Sequence, residues 1–344
     1  MSESNIRLSI LDIGTVWNGN SPEVTLQYAL ELSKAADELG YTRYWFAEHH
    51  NTPHQTSSSP EMLAALAAAV TERIRLGTGG IMLPNHSPLK VAESFATLET
   101  LYPHRIDLGI GRAPGTDGNT ALALRRSLRA VQYDDFPDQL AELLSYFSGG
   151  FESDHPFSQI KLTPPLPSFP EIYLLGSSDG GMRFATKYGL GLTFAAHIAP
   201  DYAVPILQMY HKQFQPSVFM PKSKSIVSIM AIAAETEEEA KYLAGPLELQ
   251  WMRWNSGVFH LPPPTLEEAA SYRYSPQEEA VRRSNKGRFI AGRTDQVADR
   301  LRRLAKDTLS EEVMLMQMVP DLDGRIRSME LLAAEFDTLT NIRP

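Results

Sequence analysis

The sequence predicts an α/β fold: a single (β/α)8 TIM barrel over residues 1–344, with insertions after the fourth and seventh strands. Three observations predict it. Eight apolar, strand-like runs alternate with helix-like segments along the 344 residues, and such alternation argues for a parallel sheet covered on both faces. Three of the helical segments open on the same Ser-Pro pair, at Ser21, Ser59 and Ser87, with proline where a first helical turn accepts it. The turn after the first strand, "DIGTVWNG", lacks the G-x-G-x-x-G phosphate turn of a doubly wound dinucleotide fold.

The elements follow in order. "IRLSILDIG" from Ile6 is the first strand, and the helix from Ser21 stops at Gly40. "RYWFAE" is the second strand, followed by the alanine-rich helix "SPEMLAALAAAVTERI". "IRLGTGGIML" from Ile74 and "RIDLGIG" from Arg105 are the third and fourth strands, with the Ser87 helix between them. The first insertion, "APGTDGNTALALRRSLRAVQ", starts at Ala113, and a helix follows from Asp134 with Pro137 in its first turn. "EIYLLG" from Glu171, "GLTFAAHI" from Gly191 and "SIVSIMAIAA" from Ser225 are strands five to seven. The helix from Thr236 is expected to break near Pro246, because proline removes a helical N–H. Asn255–Phe289, with Pro262, Pro263 and Pro264 in a row, has no steady period and reads as a lid. An amphipathic helix from Arg293, the eighth strand "EEVMLMQMV" from Glu311 and a helix from Asp323 close the chain.

Composition removes several function classes. There is no cysteine, which excludes thiolate nucleophiles, disulfides and cysteine-held zinc. A net charge of −9 offers no broad basic surface for nucleic acid. The longest apolar run, "MLAALAAAV" from Met62, falls short of the ~20 residues that span a bilayer. No basic, then apolar, leader opens the chain. A soluble cytoplasmic protein is expected, with no membrane or nucleic-acid partner.

Barrel enzymes carry their chemistry at the C-terminal ends of the strands. Glu48, His49 and His50 follow the second strand, and His54 lies close behind. This cluster admits three readings: a metal site, loop histidines held by hydrogen bonds, or an acid/base group, since imidazole titrates near neutrality. No second ligand set accompanies it, so no metal is assigned. Gly79 and Gly80 sit inside the third strand, where glycine marks a bulge or a close approach by another group. Arg112 follows the fourth strand, and Gly176-Ser177-Ser178-Asp179-Gly180-Gly181 follows the fifth and opens a helix. That loop is either a helix capped by Ser177 or Asp179 or an anion site that Arg112 completes. His197 stands near the end of the sixth strand. His104 belongs to the opposite, stability end, while His155, His211 and His260 show no partner and are expected in loops or at the surface.

Taken together and in this order, "WFAEHH", "IRLGTGGIMLPNHSPLKVAESFATLETL", "RIDLGIGRAPGTD" and "YLLGSS" resemble the bacterial luciferase-like flavin-dependent monooxygenases. The likeness runs from about Leu8 to Phe336 and extends to the closing "GRTDQVADRLRRLA". It implies a (β/α)8 barrel and reduced FMN (FMNH2) as cofactor, supplied by a separate flavin reductase. With O2, that cofactor oxidises a small apolar organic molecule such as an aldehyde. By motif position it implies His49 as the catalytic base and Gly79 and Gly80 against the isoalloxazine, where the family often has a non-prolyl cis peptide. Arg112 and Ser177 fall at the FMN phosphate, with Gly176, Ser178 and Gly180 beside them. Two departures point to the non-luminous branch: Gly111 stands where the light-emitting subunit has cysteine, and Gly176 where it has glutamate. The resemblance further implies a homodimer through the second and third helices. A deazaflavin F420-dependent oxidoreductase and a flavin-binding protein without turnover share the barrel and are the alternatives.

Overall fold

The computed structural model describes residues 6–285 and 287–339. Among these described residues are nine strands: β1 (Arg7–Asp12), β2 (Arg43–Phe46), β3 (Arg75–Met82), β4 (Ile106–Gly111), β5 (Glu171–Gly176), β6 (Gly191–Ala195), β7 (Ser225–Ala234), β8 (Phe289–Arg293) and β9 (Glu312–Met316). The helices of the first half are α1 (Pro22–Glu38), α2 (Pro60–Ala69), α3 (Pro88–Leu101), α4 (Gly118–Arg125), α5 (Leu128–Gln132) and α6 (Phe136–Ser148). Those of the second are α7 (Asp179–Tyr188), α8 (Pro200–Gln213), α9 (Glu237–Asn255), α10 (Leu266–Ser271), α11 (Pro276–Ser284), α12 (Thr294–Thr308) and α13 (Leu322–Glu335).

Eight strands close a parallel barrel in the order β1 to β7, then β9, which pairs back onto β1. The ninth strand, β8, is additional. It pairs with Met230–Ala234 of β7, beyond Ser225–Ser228, where β6 pairs. The expected count of eight was therefore one short, because "FIAGR" is too brief to stand out between a loop and a helix start. Phe289 belongs to this strand and not to the preceding segment. That segment is more regular than expected, since it contains α10 and α11, the latter with a capping box at Ser275 and Glu278. The helix α9 also runs through Pro246 without a break. Ser21 accepts the Val24 N–H at 3.2 Å. Ser59 and Ser87 make no such cap bond, and proline alone sets those two starts.

Strand residues alternate between two cores, as a two-residue period requires. Leu8, Ile10, Tyr44, Phe46, Ile106, Leu108, Ile172 and Leu174 face the helices. Leu11, Trp45, Tyr173, Met230, Met314 and Met316 fill the barrel. On β3 the phase changes: Leu76 and Ile81 both join the outer core, although five residues apart they should face opposite ways. The pairing with β4 shifts between Thr78 and Ile81, which moves the phase by one.

At the N-terminal end of the barrel lies a buried ionic network. Arg43, 2% exposed, donates from Nη1 to Asp107 at 2.8 Å and from Nε and Nη2 to Glu312 at 2.6 and 3.1 Å. Arg75 donates twice to Asp107, at 2.8 and 2.6 Å, and Trp45 Nε1 donates to it at 2.9 Å. Lys224 and the Tyr173 hydroxyl hold Glu171 at 2.6 and 2.7 Å. Taking such charges out of water is costly unless each is paired. Arg43→Met leaves Asp107 and Glu312 short of a counter-charge, and is expected to lower the unfolding free energy by about 3–5 kcal/mol. The urea midpoint at neutral pH measures it, and a loss no larger than that of a surface change, about 0.5 kcal/mol, would contradict the account.

Candidate active site

At the opposite end, the loop after β2 is organised by Glu48. This carboxylate is fully buried. It accepts the Met82 N–H at 2.9 Å, the His50 Nε2–H at 2.8 Å and the His86 Nε2–H at 2.9 and 3.0 Å. Since a carboxylate only accepts, both imidazoles must carry a proton on Nε2. Burial pushes the Glu48 pKa up, but hydrogen bonds from His86, Met82 and His50 and the His86 charge outweigh it, holding Glu48 below its ordinary 4.5. His86 responds in the opposite sense. Burial lowers it, while the Glu48 hydrogen bond and charge, with Glu61 of α2, carry it above 6.5.

His50 is thus committed to Glu48, and His49 is not. The backbone of His49 donates to Ser57 O at 2.8 Å, but its ring Nδ1 is buried without a partner. Burial, with Glu48 opposing and His50 assisting, keeps its pKa below 6.5. Among the described residues no group of three or more His, Asp or Glu side chains is arranged to hold a metal ion.

The Gly79-Gly80 peptide is cis. A Cβ on Gly79 would lie 2.6 Å from Leu11 Cδ1, and one on Gly80 would lie 2.6 Å from Gly109 O and 2.5 Å from Leu175 Cδ1. At Gly80 the obstacle is the Gly109 backbone, so strand packing alone demands glycine there; at Gly79 it is the movable end of the Leu11 side chain, which a shift of that leucine would relieve.

Arg112 leaves β4 toward the start of α7. Its Nη1 is 3.4 Å from where a Gly180 Cβ would stand, and its Nη2 donates to Asp134. Ser178 is the N-cap of α7, in place of Ser177 or Asp179, and its hydroxyl makes no cap bond. Asp179 instead pairs with Arg183 at 2.8 Å. Helix starts leave N–H groups without intrahelical partners and favour anions. Gly176, Ser177, Ser178 and Gly180 therefore lie with Arg112 on one rim, and His49 rises from another strand at the same end.

Besides His197, residues that sequence reasoning passed over join this end. His86 follows β3, and the rule applied to the ends of strands two, four, five and six would have found it. Thr193 Oγ1 and Ser228 Oγ, on neighbouring strands, are buried without partners. His197 Nδ1 contacts Ser228 O at 3.3 Å, and burial lowers its pKa to about 4. His211, expected to lack partners, has two: Ser223 and Ser225 Oγ at 2.9 and 2.8 Å. It lies toward the other end, beside the start of β7. The interior wall is Leu11, Trp17, Trp45, Met230, Met316 and Met318. Asn255–Phe289 reaches over to the β1 and β2 loops: Asn18 N–H donates to Pro263 O at 3.1 Å, and His54 Nε2 lies 3.4 Å from His260 O.

A family model described as luciferase-like monooxygenase matches residues 6–311. An uncharacterized Bacillus subtilis protein, YceB, is 37% identical, with 96% of this chain and 99% of the relative covered. A luciferase-like monooxygenase of Escherichia coli K12 is 35% identical, covering 96% and 97%. An N-acetyl-S-alkylcysteine monooxygenase of B. subtilis is 33% identical, covering 95% and 97%. Among solved structures, apo-MsnO8 superposes with a TM-score of 0.89 at 34% identity, covering 98% and 99%. Two others share the fold at low identity. The oxygenating constituent of 3,6-diketocamphane monooxygenase from Pseudomonas putida, in complex with FMN, has a TM-score of 0.70 at 18%, covering 96% and 98%. An F420-dependent secondary alcohol dehydrogenase has 0.68 at 14%, covering 99% and 100%. Among the described residues no helix is long and apolar enough to cross a membrane.

The two shifts at Glu48 and His86 define a pH window. The raised His86 pKa contributes stability that is complete below 6.5 and lost as pH rises through the folded value. The depressed Glu48 pKa contributes stability that is complete above 4.5 and lost as pH falls through the folded value. The stability difference between wild type and His86→Asn should therefore peak between these limits and shrink on both sides. Urea midpoints across that range measure it, and a difference independent of pH would refute the ion pair.

Proposed function

The chain belongs to the luciferase-like monooxygenases, and on that premise we propose that it uses reduced FMN and O2 to oxidise a small apolar organic substrate such as an aldehyde. The observation that carries the FMN reading is the pairing of Arg112 with an uncapped helix start. The guanidinium stands beside Gly180, and the Ser178 hydroxyl, free of a cap bond, adds a donor to the α7 amides. A terminal phosphate monoester fits this set, with Ser177 and Gly176 completing the turn. Gly79 and Gly80 offer a backbone surface without side chains for the ring. FMN, when bound and reduced, supplies the electrons that activate O2.

The chain's own residues do the rest. His49, its Nδ1 unpartnered and its pKa held below 6.5 by burial, is a neutral imidazole placed to accept a proton. The Met- and Trp-rich wall around Leu11 and Met316 excludes water and fits flexible apolar groups. Asn255–Phe289 covers the mouth as a lid. The B. subtilis relative named for an N-acetyl-S-alkylcysteine substrate adds S-alkyl compounds to the candidates. A separate flavin reductase is the source of reduced FMN. Exposed Arg126 and Arg129 favour a second reading, the longer acidic tail of F420.

We place a homodimer contact on α2 and α3, where Met62, Leu66 and Leu101 are 63%, 49% and 64% exposed. Sedimentation of wild type and Leu66→Lys is expected to give dimer and monomer; a monomeric wild type removes the contact.

Titration of the purified chain with FMN, riboflavin and F420 tests the cofactor. FMN should bind more tightly than riboflavin. Arg112→Ala should abolish that preference, and equal losses for both flavins would take Arg112 away from the phosphate. Asp134→Asn, which frees Arg112 from its carboxylate, should tighten FMN and leave riboflavin unchanged.

A further inference from the structure

We propose that Glu48 is the positioning residue of this site: by binding His50, His86 and the Met82 amide at once, it locks three strand ends around His49. The proposal rests on the flavin reading above and assigns a task to side chains that reading leaves idle.

Glu48 joins segments far apart in the chain. It lies just after β2, Met82 ends β3, and His86 precedes α3. His50 extends the link to the loop after β4, where its N–H donates to Gly115 O at 3.4 Å and its carbonyl accepts from Thr116 Oγ1 at 2.9 Å. The backbone on both sides of His49 is thereby held, as the Ser57 Oγ bond to Ala47 O also shows. Yet the His49 ring stays outside the network. A fully buried carboxylate is tolerated only when its lone pairs are satisfied, and here imidazoles supply two of the three donors. Each donates through Nε2, so the same contacts fix ring orientation and tautomer. Partners that orient metal-bound histidines typically matter by about 10–100-fold, and the lower end of that range is the expectation for these unligated rings.

The charged and titratable groups around the cluster are Glu48, His49 and His50 on the β2 loop, His86 before α3 and Glu61 on α2. Glu48 raises both His49 and His86. Removing its charge must therefore lower both, with the larger fall at His86, which is bonded to it directly.

The experiment compares the full chain as wild type, Glu48→Gln and Glu48→Asp. Nitrogen-15 NMR of the histidine rings reports tautomer and titration. In wild type, His50 and His86 should carry Nε2–H and His86 should titrate above His49. In Glu48→Gln, His86 should titrate at lower pH than in wild type. The second readout is the reoxidation of reduced FMN bound to the protein. Glu48→Gln should keep FMN affinity but lose about tenfold in rate, with the pH profile displaced downward. Glu48→Asp should restore the profile in part, and it serves as the test if the glutamine variant does not fold. A glutamine variant with the His86 shift but wild-type rate and profile would reduce Glu48 to a structural contact. Wild-type rings with Nε2 unprotonated at His50 and His86 would remove the proposed bonds. If wild type binds neither FMN nor F420, the flavin reading is lost, and the ring spectra alone decide whether Glu48 orders the histidines.

Discussion

The barrel depends on one buried guanidinium. Arg43 reaches across the interior from β2 and ties β4 through Asp107 and β9 through Glu312, so it links strands on both sides of its own. Arg75 and Glu171 extend the network to β3 and β5. An ionic plug of this kind adds little stability over an apolar filling, yet it tolerates no partial version, because every charge needs its partner. It therefore specifies which strands meet at that end. The charge pairs fill one end of the barrel, and Glu48, His49, Arg112 and the start of α7 lie at the other.

The two ends handle buried charge differently. At the closed end arginines neutralise carboxylates. At the open end the neutralising groups are histidines, so the balance around Glu48 changes with pH. His49 and His86, both near the same carboxylate, are moved in opposite directions, because His86 is bonded to it while His49 is mainly desolvated. Environments that push neighbouring pKa values apart are the usual mark of divided acid and base roles.

Much of this was legible in the sequence, for physical reasons. Buried parallel strands read as continuous apolar runs, so "SIVSIMAIAA" coincides with β7 and all eight barrel strands were found. Strand ends were legible too, and that placed Glu48, Arg112 and Ser177 at one end. What escaped depended on long-range contacts. β8 is a five-residue strand that is stable only because β7 extends past β6. Pro246 sits inside α9 because the helix is packed in the core there, which overrides local preference. His86 and Asp134 acquire partners 38 and 22 residues away, and no local pattern encodes that. The Gly79-Gly80 site was recognised as a bulge or a close approach, but the change of phase along β3 needed both flanking faces.

β7 is the longest strand and serves two sets of neighbours, β6 and β9 along its first half and β8 along its second. The excursion formed by α9, α10 and α11 therefore begins where β7 ends and returns through β8 to pair with that same β7. It is a closed handle and not a free arm. Its two ends are held by backbone pairing, and Ala244, Leu247 and Trp251 of α9 tie it further to the interior core. A change in α10 or α11, which pack on α9, is thus separated from the ionic plug by the full height of the barrel.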